Sequence, residues 1–297
     1  MLKKYSLIPV VFLSLLSAQS AWACTDRDAA VAAVQGNDFT TATTLYARID
    51  VDPACPDDFR GWLAEALARE SFRQAQTAGI DAETAQSLYQ QSLSYAPHWR
   101  TYDALGRLAG QQGDFTREAQ LLEQAITQLK EGSPAHSATQ TEVADLVART
   151  SDAMLLSDTV IAPTRTRSGA PGGIFSEELR GFAIEEVRLA ITFEFDSTEL
   201  TDKGRGYVRQ LLNHLMEAAP ASITLEGHTD PKGEDAYNMD LSFRRAEALA
   251  EFLTENGFRG EINLVGKGET ELPAPTEAAQ LDTEEYYQRA RRVVFKR

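Results

Sequence analysis

Basic side chains are scarce in this 297-residue chain, which has 29 lysines and arginines against 44 aspartates and glutamates and a formal net charge of −15. Proteins that bind nucleic acid use a basic stripe to displace counterions from phosphates, and the sequence has no such stripe. Histidine is also rare, with four residues scattered along the chain. The composition therefore argues against a nucleic-acid partner and against a histidine-rich metal centre.

Recognisable catalytic motifs are missing as well. The chain has no nucleophile elbow, phosphate-binding loop or zinc motif, so we assign no catalytic residue and no cofactor. His228 and Asp230 have the spacing of a metal-binding pair, but the sequence supplies no third ligand. We therefore expect no metal, and we expect His228 to bond the backbone of its turn. The sequence predicts a protein that is not an enzyme.

Long apolar runs are also lacking after the start of the chain. Lys3 and Lys4 precede an apolar run from Leu7 to Leu16, and 21–23 offer a small-x-small cleavage site. This composition is typical of a secretory signal peptide, which we place at residues 1–23. About ten strongly apolar residues are too few to span a bilayer. The mature chain, beginning at Cys24, is therefore expected to have no transmembrane segment.

The sequence contains only two cysteines, Cys24 and Cys55. An exported chain with an even number of cysteines usually pairs them in an oxidising compartment. If residues 26–35 and 38–50 form a helical hairpin, the two cysteines lie at the same end of it. We predict a disulfide there. Lipid modification of Cys24, which directly follows the cleavage site, is the alternative that the sequence leaves open.

Residues 24–156 are rich in alanine and glutamine and have helical spacing with few β-branched runs. A weak repeat is visible in which small residues, aromatic residues and a terminating proline or glycine recur: Ala85, Tyr89, Ser92, Pro97, then Tyr102, Leu105, Gly106, Ala109, Gly113, Phe115. This arrangement resembles the tetratricopeptide repeat and implies about three degenerate helical hairpins that serve a protein partner. An all-α bundle with accidental periodicity is the alternative.

Residues 157–183 break the helical pattern. Pro163, Pro171 and three glycines fall in the polar, locally basic stretch 157–176, so we predict a linker in which Arg165 and Arg167 are solvated. The rest of the chain, residues 184–297, has the periodicity of a second domain. Strands are expected at 187–195, 222–226, 262–264 and 291–296, with helices from Thr201 to Pro220 and from 238 to 256.

These elements give the order β-α-β-α-β-(α)-β, with a mixed sheet and helices on one face. The fold class is thus an α+β two-domain protein, in which an all-α helical-repeat domain precedes a two-layer α/β sandwich.

Arg245 interrupts an apolar helix face. The positions that share its face are Leu241, Ala248, Leu249, Phe252 and Leu253. A guanidinium that points toward a core needs an anionic partner, and a carboxylate matches it best. Asp230, in the turn after the preceding strand, is the nearest candidate. The pair would either neutralise each other as a structural salt bridge or bind a small zwitterion together.

The residues around this pair resemble the OmpA-like peptidoglycan-binding domain. The matching positions are Gly227, His228, Thr229, Asp230, Gly233, Tyr237, Asn238, Leu241, Ser242, Arg244, Arg245 and Ala246, supported by 191–204, Gly266, Gly268, Glu269, Pro273, Arg291, Arg292 and Val293. Two departures from the family pattern lie near the last strand, in the segment that would form one wall of the expected ligand pocket. Ala290 stands where the family usually has asparagine before the paired arginines, and the loop after Pro273 is a few residues longer.

The resemblance implies a binding site for the diaminopimelate side chain of peptidoglycan. In that assignment Asp230 accepts the ligand ammonium, Arg245 binds its carboxylate, and amides near Asn238 and Leu241 at the helix N-terminus help to hold the anion. By position, Thr198 or its neighbour Ser197 supplies a polar contact and Arg291 a second positive charge.

These inferences predict a periplasmic, non-catalytic peptidoglycan-binding protein of a Gram-negative-type bacterium, associated with the outer membrane. An unknown envelope protein is its expected partner through the helical repeats. Two alternatives stay open at this point. The chain could be a targeting or regulatory part of a cell-wall-remodelling enzyme system, or an envelope scaffold whose pocket has lost its ligand.

Overall fold

The computed structural model describes residues 24–132, 137–179, 181–184, 186–194, 196–272 and 283–297. The predicted signal peptide and the loop after Pro273 lie outside these residues. The chain divides into two compact units, residues 1–67 and 68–297, and the division falls inside the third helix. The described helices include none that is both long and apolar enough to cross a membrane.

The first unit begins with a hairpin of two short helices, α1 (Arg27–Gln35) and α2 (Phe39–Ile49). Asp38 caps α2, because its carboxylate accepts a 3.1 Å hydrogen bond from the amide of Thr41. Buried small and aliphatic side chains join the helices: Ala30, Ala33, Ala42, Leu45 and Ile49. A disulfide links Cys24 to Cys55. The hairpin and the pairing of the cysteines agree with the sequence prediction.

Four further helices follow. They are α3 (Asp57–Ala75), which contains the division between the units, α4 (Ala82–Tyr95), α5 (Trp99–Gln111) and α6 (Phe115–Glu131). Helices α5 and α6 pack closely because glycines stand at their contact. A Cβ atom at Gly106 would lie 2.8 Å from Leu122, and one at Gly110 would lie 2.5 Å from Glu118. The small residues of the sequence pattern thus mark a helix contact, while the tetratricopeptide assignment stays a prediction.

Helix α7 (Gln140–Leu156) completes the helical part, and the segment after it packs against α6. The carboxylate of Glu123 accepts hydrogen bonds from the amides of Ile174 (2.9 Å) and Thr164 (3.3 Å), and Lys130 donates to the carbonyl of Pro171 (2.8 Å). Ile161, Ile174 and Phe175 are buried. The segment predicted as a linker is therefore docked, although the domain boundaries at 156 and 184 stay a prediction.

The C-terminal part is a mixed sheet with helices. A small hairpin, β1 (Glu178–Leu179) and β2 (Phe182–Ala183), precedes the main elements. They are β3 (Glu186–Leu189), α8 (Asp202–Ala218), β4 (Ser222–Gly227), α9 (Asp235–Glu255), β5 (Glu261–Gly266), α10 (Thr283–Ala290) and β6 (Val293–Lys296). The strand order is β3-β6-β4-β5, with β4 and β5 parallel and the other neighbours antiparallel. The predicted α+β fold class and element order are confirmed.

Two local contacts in the C-terminal part position the candidate site. Thr201 caps α8 as expected, accepting a 2.9 Å bond from the amide of Gly204. Gly227, at the end of β4, lies against the backbone of α9, where a Cβ atom would overlap the carbonyl oxygen of Ser242. Because this glycine allows close approach, the turn carrying Asp230 and the helix face carrying Arg245 are near each other.

Candidate functional site

The candidate site lies where β4 and β5 end and α9 begins. The backbone ties these ends together, since the amide of Lys267 donates to Gly227 (2.9 Å) and the amide of Thr229 donates to Gly268 (2.8 Å). The amide of His228 donates to the carbonyl of Arg292 (2.9 Å), which brings the segment before β6 to the same place. Ligands of open α/β sheets commonly bind at such strand ends.

Asp230 is buried, with 8% of its surface exposed. One carboxylate oxygen accepts a 2.9 Å bond from the amide of Lys232, and the other accepts a 2.7 Å bond from Nη1 of Arg291. Nη2 of Arg291 reaches Glu284 at 2.7 Å. Burial alone would lower the pKa of Arg291, but these two carboxylates outweigh it and the pKa is raised. The carboxyl group of Asp230 is therefore held in position by contacts to both of its oxygens.

Arg245 points inward as the helix pattern predicts and is only 5% exposed. Its Nε donates to the carbonyl of Ser197 (3.1 Å), and its guanidinium carbon lies 5.1 Å from the centre of the Phe193 ring. Within the described residues it forms no ion pair, although the charge of Asp230 acts on it. Burial, followed by the nearby charge of Arg291, lowers its pKa.

The direct salt bridge between Asp230 and Arg245, which the sequence left open as the alternative to a shared ligand, is not formed, because Arg291 binds the carboxylate. Arg245 and Arg291 both lie beside Asp230, and Arg291 is its direct partner. Sequence reasoning placed Arg291 at the site but could not assign this pairing, since the residues are 61 positions apart. As a result, the buried guanidinium of Arg245 makes no ion pair with a carboxylate of the described residues.

Asn238 and Leu241 do not supply free helix amides. Helix α9 begins at Asp235, before the predicted start, and the amide of Asn238 donates to the carbonyl of Glu234 (2.9 Å). Leu241 is buried in the helix interior. The Asn238 side chain instead holds the turn, with Nδ2 lying 3.4 Å from the carbonyl of Asp230. The expectation of free amides at these two positions is wrong because the first turn forms earlier.

The loop after β3 forms another side of the candidate site. Thr198 is half-buried in this loop, next to Ser197, whose carbonyl accepts the bond from Arg245. Asp196 has a left-handed backbone with a φ of 49°, and its carboxylate accepts a bond from the hydroxyl of Tyr237. The loop is therefore held to α9 at two points. Which of its polar groups contacts a ligand stays a prediction.

A cavity of about 340 Å³ opens beside Arg245. Polar and cationic side chains dominate its lining: Ser157, Thr192, Phe193, Thr201, Lys203, Arg245, Gln288 and Arg291. Lys203 and Gln288 were missed by sequence reasoning, because both are placed by the end of α7. Nζ of Lys203 donates to the carbonyls of Leu155 (2.7 Å) and Ser157 (2.6 Å), and Nε2 of Gln288 donates to Leu155 (2.7 Å).

A second cluster surrounds His228. Ligand atoms of Glu226, His228 and Glu271 lie within 4.8 Å of one another. Each carboxylate already has a lysine partner, Lys296 for Glu226 (2.9 Å) and Lys267 for Glu271 (2.7 Å). The cluster therefore has no free negative charge with which to attract a cation.

The imidazole of His228 itself is buried. Burial, followed by the charge of Arg292, lowers its pKa to about 3. Neither ring nitrogen has a hydrogen-bond partner in the described part of the chain, so the expected bond from His228 to the turn backbone is wrong. The pairing of His228 with Asp230 that a metal would need is also not made, since Asp230 binds Arg291.

Comparison with known proteins finds a family match for the part of the chain that contains Asp230 and Arg245. Residues 192–285 match the model described as the OmpA family, so this part of the chain is an OmpA family domain. The region is one third of the chain. The resemblance drawn from the sequence is confirmed for the C-terminal part.

Outer membrane porin F of Pseudomonas aeruginosa is 35% identical over 99 residues, which are 33% of this chain and 28% of that protein. The chain thus spans less than a third of this relative's length. Among solved structures, the peptidoglycan-associated lipoprotein of Burkholderia pseudomallei is 25% identical, covers 38% of this chain and 88% of its own, and has a TM-score of 0.31. The cell wall anchor of the T6SS from Pseudomonas aeruginosa is 26% identical, with coverages of 37% and 76% and a TM-score of 0.29.

Proposed function

We propose that this protein is a non-catalytic peptidoglycan-binding protein of the periplasm that binds the diaminopimelate of peptide stems. The observation that carries the proposal is the buried Arg245, which faces a cavity of about 340 Å³ and has no carboxylate partner among the described residues. A buried cation without an anion is costly, and a ligand carboxylate would remove that cost. The OmpA family domain at 192–285 supports the same ligand class.

Asp230 is the proposed acceptor of the ligand ammonium. Its carboxylate is occupied by Arg291 on one oxygen and by the amide of Lys232 on the other. A carboxylate has about four lone-pair positions, so it can accept a further bond from an ammonium group. Arg291 would then keep Asp230 oriented while adding positive charge for the ligand carboxylate. Asp230 and Arg245 together would distinguish a zwitterion from a simple anion.

Binding to purified peptidoglycan sacculi tests the proposal. We expect the wild type to sediment with sacculi and the Asp230→Ala, Arg245→Ala double variant to stay in the supernatant. The matched control is Asp240→Ala, Arg244→Ala, because these residues form an exposed 2.7 Å ion pair on the same helix. The control should sediment like the wild type. Equal retention of all three proteins would exclude the pocket.

The ion pair of Asp230 with Arg291 favours a second candidate function, an envelope scaffold whose pocket is closed to ligand. In that case the acid is neutralised within the protein and no ligand ammonium is needed. Titration with free diaminopimelate separates the two. Heat of binding that disappears in Asp230→Asn supports the ligand site, and its absence from the folded wild type supports the scaffold.

We also propose that the helical part recruits or anchors a protein partner. A groove of about 400 Å³ supports this assignment, and Phe72, Tyr89, Trp99 and Ala104 are among its lining residues. Its mixture of aromatic and charged side chains suits a peptide or helix of a partner. A photo-crosslinking residue at Ala104 should capture the partner in living cells, and one at the exposed Glu247 of α9 should not. Equal capture from both positions would refute the groove.

A further inference from the structure

The cavity beside Arg245 is lined by a third cation, which the proposed diaminopimelate site does not use. Lys203, in the first turn of α8, lines the same cavity as Arg245 and Arg291. Its ammonium donates to two backbone carbonyls at the end of α7, those of Leu155 and Ser157. The lysine is therefore fixed in place.

The charge of Lys203 has no counter-ion in contact. Within the described residues no carboxylate lies in ion-pair distance of Nζ, and the described residues that line the cavity include no acid. Carbonyl groups satisfy two of its three donors but do not neutralise its charge. Burial lowers the pKa of Lys203 to about 8, although the nearby charge of Asp158, which makes no ion pair with it, acts in the opposite direction.

The last turn of α7 makes this arrangement possible. Backbone carbonyls at a helix C-terminus carry partial negative charge and attract a cation. The end of α7 thereby holds Lys203 at the cavity wall, and Gln288 holds the same turn from the side of α10 through its bond to Leu155. Ser157 completes the wall.

The cavity is large enough for more than one functional group. A water molecule takes about 30 Å³ of liquid volume, so about 340 Å³ has room for a peptide fragment beyond a single carboxylate. Arg245 would bind the carboxylate of the diamino acid in the proposed function. Thr192 and Thr201, whose hydroxyls are hydrogen-bonded to each other at 2.6 Å, also line the cavity.

We propose that Lys203, fixed by the end of α7, forms a second anion subsite that binds another free carboxylate of the same peptide stem. This inference rests on the proposed function and adds a specificity to it. A stem whose second carboxylate is amidated would leave Lys203 without an anion and bind more weakly. The helical part of the chain thus takes part in ligand selection through the end of α7.

Calorimetric titration of the full mature chain tests the subsite with three probes. They are free diaminopimelate, the dipeptide γ-glutamyl-diaminopimelate, and the same dipeptide with the glutamyl α-carboxylate amidated. We expect the wild type to bind the acid dipeptide about tenfold more tightly than the amide, the size of one charge-assisted hydrogen bond. Lys203→Met should reduce this ratio to within twofold, and Lys203→Arg should retain most of it.

Lys130→Met is the matched control, because Lys130 also donates to a backbone carbonyl, that of Pro171, but lies outside the cavity. It should keep the tenfold ratio. Equal binding of acid and amide dipeptides by the wild type would overturn the subsite and leave the proposed function standing. Failure of the wild type to bind any of the three probes would overturn both. The wild-type comparison decides the matter even if Lys203→Met fails to fold.

Discussion

The carboxylate of Asp230 is bound by Nη1 of Arg291 at 2.7 Å, and the buried Arg245 beside it bonds a backbone carbonyl instead. One acid therefore lies next to two arginines, of which only one is its direct partner. The arrangement leaves Arg245 available to an anion from outside. It also makes Asp230 the residue on which the charge balance of the proposed site depends.

Asp230→Asn should weaken binding of free diaminopimelate at least tenfold. The substitution keeps the shape of the side chain but removes the charge that attracts an ammonium, and charge-assisted hydrogen bonds contribute about 1.5–3 kcal/mol. Glu284→Gln is the control, since Glu284 is the other carboxylate partner of Arg291 and is exposed. Calorimetry should find the control within twofold of wild type. A similar loss in both variants would mean that orientation of Arg291, and not the charge of Asp230, controls affinity.

Gly227→Ala should destabilise the C-terminal part by about 1–3 kcal/mol or more, because the new methyl group would overlap the backbone of α9 at Ser242. Urea denaturation measures the loss. Gly61→Ala is the control, since no atom lies within 4 Å of a Cβ at that position in α3. It should be neutral or stabilising by about 1 kcal/mol through helix propensity. Equal stability of both variants would contradict the close approach of β4 and α9.

Asp152→Ala should reduce the free energy of unfolding by about 3–5 kcal/mol. Asp152, in α7, pairs with Arg289 in α10, and both side chains are almost fully buried. Removing one partner of a buried ion pair leaves the other charge poorly compensated. Asp202→Ala, which removes an exposed pair with Arg205, should change stability by less than about 1 kcal/mol. A small effect of Asp152→Ala in chemical denaturation would show that α7 and α10 are not held by this pair.

Glu123 should make stability fall as the pH rises from about 4.5 to about 7. Burial raises its pKa to about 7, so the folded protein holds this proton when the unfolded chain has lost it. Below pH 4.5 Glu123 is protonated in both the folded and the unfolded chain, so it does not change stability. Above pH 7 it is ionised in both, and keeping its charge buried costs roughly 3 kcal/mol of folding free energy.

Glu123→Gln imitates the protonated acid and should flatten this pH dependence when thermal unfolding is followed across the range. Glu118 will keep part of the slope in the variant, because burial raises its pKa to about 7 as well. The exposed Glu83→Gln should leave the wild-type slope unchanged. If the stability of the wild type, Glu123→Gln and Glu83→Gln depended on pH in the same way, Glu123 would be ionised in the folded protein without loss of stability.

Reduction of the disulfide should destabilise the first unit by about 3–4 kcal/mol, given the sequence separation of 31 between Cys24 and Cys55. Mass spectrometry of the exported protein should find the mature chain two hydrogens lighter than its reduced form. A mass increase by a diacylglyceryl group on Cys24 would show lipid modification in place of the disulfide. Cys24→Ser, Cys55→Ser should reproduce the loss of stability without any reducing agent.

Much of the C-terminal fold could be read from the sequence because its signals are local. The alternation from Val187 predicted a strand to residue 195, of which the structure forms Glu186–Leu189, and Thr201 predicted the start of α8, since a side chain that caps a helix acts within three residues. The inward direction of Arg245 followed from the 3.6-residue period alone. These predictions needed no knowledge of distant contacts.

The parts that the sequence did not reveal depend on distant residues. The pairing of Asp230 with Arg291 joins positions 61 apart, and two arginines of equal charge compete for one acid. The docking of residues 157–176 depends on Glu123, a carboxylate buried in α6 that looks like a surface residue in the sequence. Lys203 likewise has no sequence signal, because the end of α7 places it. Local periodicity contains no information on such contacts.

The strand order of the main sheet limits when the sheet can form. Strand β6 lies between β3 and β4, so the two earlier strands are not neighbours and depend on a segment made much later. A ribosome synthesises the chain from its N-terminus, and the sheet cannot close until residue 296 has emerged. Strands β4 and β5 can pair earlier, but β3 stays without a neighbour in this sheet until the end of the chain has been made.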